Sequence, residues 1–90
     1  MSGAGDEVAR FRERISELDR VILDAVNRRL ELVAELKRYK DANGIAFVDP
    51  ERERAMVDER VAANEGPLSD EGLQAFYVEL LALTKRELER

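Results

Sequence analysis

Apolar residues recur along the first half of the chain at Phe11, Ile15, Leu18, Ile22, Ala25, Leu32, Leu36 and Tyr39. With Arg29 included as the one polar member, the spacing alternates between four and three residues without a slip. That is a heptad seam, one stripe on a helix shaped to meet another helix. It predicts a helix over 7–42, stopped by Asn43-Gly44. Asp49-Pro50 opens the next, with Asp as N-cap and Pro in the first turn. Asn64-Glu65-Gly66-Pro67 closes it, and Ser69 caps a third. Helices are expected near 7–42, 50–64 and 70–89. In the third, Leu73, Phe76, Tyr77, Leu80, Leu81 and Leu83 make a broad apolar face. Ile45-Ala46-Phe47-Val48 is apolar but too short to anchor a sheet, and is expected to pack a loop onto the helices. There is no internal repeat, low-complexity tract or strand-like alternation.

The fold class is therefore all-α, three helices with one long N-terminal helix. Residues 1–6 are expected to be a flexible N-terminus and 7–90 a single helical domain. A helix over 7–42 would be about 54 Å long. A compact chain of this size has a radius of gyration near ~12 Å, hence a diameter of only about 30 Å. The ends of the helix need another surface. An intertwined helical homodimer is expected, long helices pairing and shorter ones wrapping across. The alternative is an extended hairpin that stays monomeric.

Composition narrows the chemistry. Hydrophobic residues are 44% and charged residues 39%, too apolar for a disordered tail. No apolar run approaches the roughly 20 residues of a membrane span. The chain has no Cys and no His. Disulfides, thiolate metal sites, imidazole bases, Ser-His triads and the common zinc sites are excluded, and no metal is expected. Net charge is -5, from 20 acidic and 15 basic residues, which disfavours nucleic acid. The N-terminus has no basic flank or apolar core of a secretory signal, so a cytoplasmic protein is expected. One window departs from the acidic total. From Arg28 to Lys40 it is +3, five cations against Glu31 and Glu35. It is either a solvated helix face or a pocket for a small anion.

Several polar residues stand in apolar places. Arg29 and Lys40 are eleven residues apart and nearly eclipsed on the helix, with Val33 and Leu36 between them. Their tips can converge over that apolar floor onto a ligand with a ring and carboxylates. The plainer alternative is that Arg29 pairs with a carboxylate and Lys40 snorkels. Arg12 is about 25 Å from Arg29 along the helix and can join the same small ligand only from an antiparallel partner chain. Asp49, Arg52 and Glu53 cluster at the start of the second helix, where Arg52 opposes the helix dipole. Thr84 lies on the apolar face of the third helix, its hydroxyl able to bond a carbonyl one turn back. Glu87 lies on the neighbouring row.

Taken together these residues resemble the all-helical (AroQ-type) chorismate mutases. The matching segments are Phe11-Arg12-Glu13-Arg14-Ile15-Ser16-Glu17-Leu18-Asp19, Arg28-Arg29-Leu30-Glu31-Leu32-Val33 leading to Lys40, and Val48-Asp49-Pro50-Glu51-Arg52-Glu53-Arg54. The resemblance implies that Arg12 enters the neighbouring subunit's active site and that Arg29 and Arg52 bind substrate carboxylates. It implies that Lys40 contacts the ether oxygen and a carboxylate. Asp49 and Glu53 fall near the substrate hydroxyl, and Thr84 matches a Ser/Thr position. One position departs. The family usually has Gln or Glu, a donor to the ether oxygen, where this chain has Leu88, and Glu87 beside it is the substitute to test.

The reaction so implied is the Claisen rearrangement of chorismate to prephenate, in the biosynthesis of phenylalanine and tyrosine, without metal or cofactor. Rival readings are other pericyclic enzymes on this scaffold, a 4-amino-4-deoxychorismate mutase or an isochorismate-pyruvate lyase, and a non-catalytic helical dimerisation module. An incomplete site would point to an activating partner protein, as in some relatives.

Overall fold

The computed structural model describes residues 3–90; Met1 and Ser2 of the expected N-terminal segment lie outside them. The chain is all-α. Helix α1 runs Ala4–Ala42, α2 Pro50–Ala63 and α3 Asp70–Leu88, with no strand among the described residues. The ends of α2 and α3 fall one residue short of the expected boundaries. Helix α1 starts three residues early. Gly3 turns the chain at φ 102° and its carbonyl accepts the Glu7 N–H at 3.0 Å. Asp6 and Glu7 then occupy the first turn, where negative charge meets the positive end of the helix dipole. Asp6, expected in the N-terminal segment, is part of the helix's own start.

The chain divides into two compact units, Met1–Val33 and Ala34–Arg90. The division falls inside α1, not at a linker. In the first unit, local ion pairs join Glu7 to Arg10 and Asp24 to Arg28 along the helix. Its seam residues Phe11, Ile15, Leu18, Ile22 and Leu32 are exposed, at 56–66% of their full area. A run of large exposed apolar side chains on one stripe is the surface expected of an interface.

In the second unit α1 ends in a Schellman motif. The Ile45 N–H reaches the Lys40 carbonyl at 2.8 Å, and Gly44 sits at φ 67°, a left-handed conformation that favours glycine. The Asn43 side-chain amide adds a bond to the Tyr39 carbonyl at 2.8 Å. Residues 45–48 are loop, as expected, but Ile45 and Val48 are exposed and only Phe47 is half-buried. Asp49 caps α2 and Pro50 opens it. Beyond α2, Asn64 staples the connection: its amide donates to the Leu68 carbonyl at 2.7 Å and its Oδ1 accepts the Gly66 N–H at 3.2 Å. Ser69 then caps α3, accepting the Gly72 N–H at 2.9 Å.

Helices α2 and α3 pack on each other. Leu73 and Thr84 are the buried residues of this unit, and Leu80, Leu81 and Leu83 are half-buried. No helix among the described residues is long and apolar enough to cross a membrane.

Candidate active site

The second unit holds six of the expected site residues. Lys40, in the last turn of α1, is half-buried. Its Nζ donates to the Phe47 carbonyl at 3.3 Å and lies 6.0 Å from the centre of the Phe47 ring. Lys37 lies over the same ring at 5.7 Å, while its own charge is met by Asp41 at 3.0 Å. The two lysines are thus unlike. Lys37 has a carboxylate, and Lys40 has none among the described residues; a backbone carbonyl and an aromatic face hold it instead. It does not simply snorkel to water.

At the start of α2 the cap brings three candidates into one turn. The Asp49 carboxylate accepts the Arg52 N–H at 3.2 Å, and the Asp49 carbonyl accepts the Glu53 N–H at 3.0 Å. The Arg52 side chain takes no carboxylate among the described residues and stays exposed, in a first turn whose dipole disfavours a cation. Glu53 is half-buried and meets Lys85 of α3 at 3.0 Å. Sequence reasoning did not single out Lys85, because nothing local says which acid of α2 faces it across 32 residues of chain.

On α3, Thr84 is buried, with 4% of its area exposed, and its hydroxyl donates to the Leu80 carbonyl at 2.7 Å, the local bond its position suggested. Leu88 is half-buried in the last turn. The neighbouring Glu87 carboxylate forms an ion pair with Arg90 Nε at 3.2 Å, just beyond the end of α3, so it is engaged locally. The remaining two candidates belong to the first unit, where Arg12 is exposed and Arg29 half-buried.

A cleft of about 400 Å³ opens between α2 and α3, floored by Val57, Val78 and Leu81 and flanked by Glu53, Arg54 and Asp58. Of the expected site residues it contains only Glu53. Its other polar walls, Arg54, Asp58 and Gln74, carried no role in the sequence reading.

Residues 11–89 match the family model described as chorismate mutase type II. The chain belongs to that family. The T-protein of Enterobacter agglomerans is 39% identical over 54 residues, 60% of this chain and 14% of that protein. The 4-amino-4-deoxychorismate mutase of Streptomyces venezuelae is 35% identical over 63 residues, 68% of this chain and 61% of that one. The chain thus spans less than two thirds of the length of either curated relative. Among solved structures, form II of the Thermus thermophilus chorismate mutase superposes with a TM-score of 0.87 at 28% identity, covering 93% of this chain and 96% of that chain. The three-helix architecture is that of the helical chorismate mutases.

The cap geometry separates two roles of Asp49. Asp49→Asn keeps a capping oxygen and is expected to hold stability within a few tenths of a kcal/mol, whereas Asp49→Ala loses about 1 kcal/mol. Urea unfolding of both variants checks this, and equal losses would show that the carboxylate charge, not the cap, stabilises the turn.

Proposed function

We propose that the protein is a chorismate mutase, an intramolecular transferase that converts chorismate to prephenate on the route to phenylalanine and tyrosine. The observation that carries this reading is Lys40, a half-buried ammonium held on a backbone carbonyl with no carboxylate partner among the described residues, in a chain of this family. Such a cation is available to a substrate anion.

The chemistry asks two things of the chain. The flexible dianion must be held in the conformer whose ends can react. That falls to Arg29 and Arg52 on the two carboxylates, since guanidinium–carboxylate pairs fix direction as well as charge. Negative charge grows on the ether oxygen as the C–O bond breaks, and Lys40 is placed to stabilise it more in the transition state than in the ground state. Glu53 and Asp49 are assigned to the substrate hydroxyl. Asp49 has one carboxylate oxygen on its cap, which leaves the other for a donor. Thr84 lines the site from α3. Leu88 supplies no hydrogen bond, so the second donor to the ether oxygen is missing, and Glu87, engaged with Arg90, is poorly placed to replace it. Turnover is accordingly expected to be modest without an activating partner protein.

The proposed enzyme is a homodimer in which Arg12 of one copy completes the other copy's site. The exposed apolar stripe of α1 supports this, being the surface a second helix would cover. The cytoplasm is the proposed setting, and fractionated activity should be found there. A second reading, a 4-amino-4-deoxychorismate mutase, is favoured by the similarity to the Streptomyces venezuelae enzyme.

Purified protein mixed with chorismate should consume its ultraviolet absorbance. Lys40→Ala is expected to lower kcat by about 10²–10³-fold at unchanged helical content, and wild-type turnover in that variant would end the lysine assignment. Leu88→Gln restores a donor and is expected to raise kcat by about tenfold, a partial recovery of what one preorganised donor contributes. A rate that stays flat would show that Leu88 does not face the ether oxygen. The shared site is tested by mixing two inactive variants, Arg12→Ala and Lys40→Ala. If subunits exchange at random, half the dimers carry one intact site, so about a quarter of wild-type turnover should return. No recovery after unfolding and refolding together would place Arg12 outside the partner's site.

A further inference from the structure

The acidic residues assigned to the substrate's ring substituent do not by themselves say whether that substituent is a hydroxyl or an amine. An ammonium suits acidic neighbours, and Asp49 and Glu53 are both present. The packing of α3 on α2 adds a group that changes the balance. Lys85 Nζ lies 3.0 Å from Glu53 Oε1, with 38% and 25% of the two side chains exposed. Lys85 is thus a cation fixed against a half-buried carboxylate of α2.

We infer that Lys85 is a specificity residue that selects a neutral hydroxyl over an ammonium at the substrate position Glu53 meets. This rests on the chorismate mutase reading. The physical argument has two parts. Lys85 occupies one oxygen of Glu53 and leaves the other, enough to accept one hydrogen bond from a hydroxyl, whereas an ammonium brings three donors and a full charge. Lys85 also places a positive charge within a few ångströms of any group bound to Glu53. A hydroxyl is indifferent to it; an ammonium is repelled, and like charges in a partly desolvated site interact far more strongly than in water. The nearby charges do not reverse this. Asp49 has a carboxylate oxygen on the helix cap, accepting the Arg52 backbone N–H, and Arg54 and Asp58, one cation and one anion, both line the cleft.

The test measures kcat/KM for chorismate and for 4-amino-4-deoxychorismate with wild type, Lys85→Met and Lys85→Arg. Wild type is expected to prefer chorismate. Lys85→Met should lower the ratio of the two values by about fivefold, the scale of a partly exposed ion pair, chiefly through KM for the amino substrate. Lys85→Arg, which keeps the charge, should restore the ratio. A general loss of packing would depress both substrates alike and leave the ratio unmoved. An unchanged ratio in Lys85→Met, an Arg variant that behaves like Met, or a wild type that prefers the amine would overturn the role of Lys85 while leaving a pericyclic enzyme in place. Turnover of neither substrate by wild type would overturn the underlying reading, and this inference with it.

Discussion

A protein that binds a dianion, as proposed for this one, must keep cations whose charge its own acids have not already met. That is a severe constraint in a chain with 20 acidic and 15 basic residues. The structure meets it by local engagement of acids elsewhere. Glu7 pairs with Arg10, Asp24 with Arg28, Asp41 with Lys37 and Glu87 with Arg90, each three or four residues apart along the chain. Such exposed pairs contribute little stability, but each occupies an acid. Asp49 is tied to a helix cap. Among the described residues Lys40 and Arg52 are left with backbone, aromatic surface or solvent, and the proposed chemistry uses both.

The same economy explains the turn between α1 and α2. The Schellman motif at Gly44 ends α1 just after Lys40, and the short loop then folds Phe47 back so that its carbonyl and ring lie against the lysine. Two residues later Asp49 opens α2 and orders the backbone of Arg52 and Glu53. One turn of backbone thus positions a cation from the end of one helix and three polar residues from the start of the next. A substitution that disturbed the left-handed glycine would move all of them together, which is why the arrangement is cheap to keep and easy to lose.

The α2–α3 packing decides a different property. The likeness to both a chorismate mutase and a 4-amino-4-deoxychorismate mutase shows that this scaffold does not dictate the ring substituent. On the inference above, what separates the two is charge around a single contact, altered by a lysine of α3 that lies outside the proposed carboxylate clamp.

Much of this was legible in the sequence because it is local. Heptad spacing from Phe11 to Tyr39, Asp49-Pro50 and Ser69 as caps, and Asn43-Gly44 as a stop each depend on residues within a turn or two, and the helices lie where those signals put them. The resemblance in the Arg12, Arg29 and Asp49–Arg54 segments carried the family. The early start of α1 is not legible because Asp6, next to a glycine, reads equally well as a tail or as a first turn, and only the backbone geometry of Gly3 separates them. The sequence could not show that Glu53 meets Lys85 or that Lys40 rests on Phe47. Those depend on which face of one helix meets which face of another and on how a loop closes. Such choices are made by tertiary packing, where the energy differences between neighbouring partners are too small for spacing along the chain to fix.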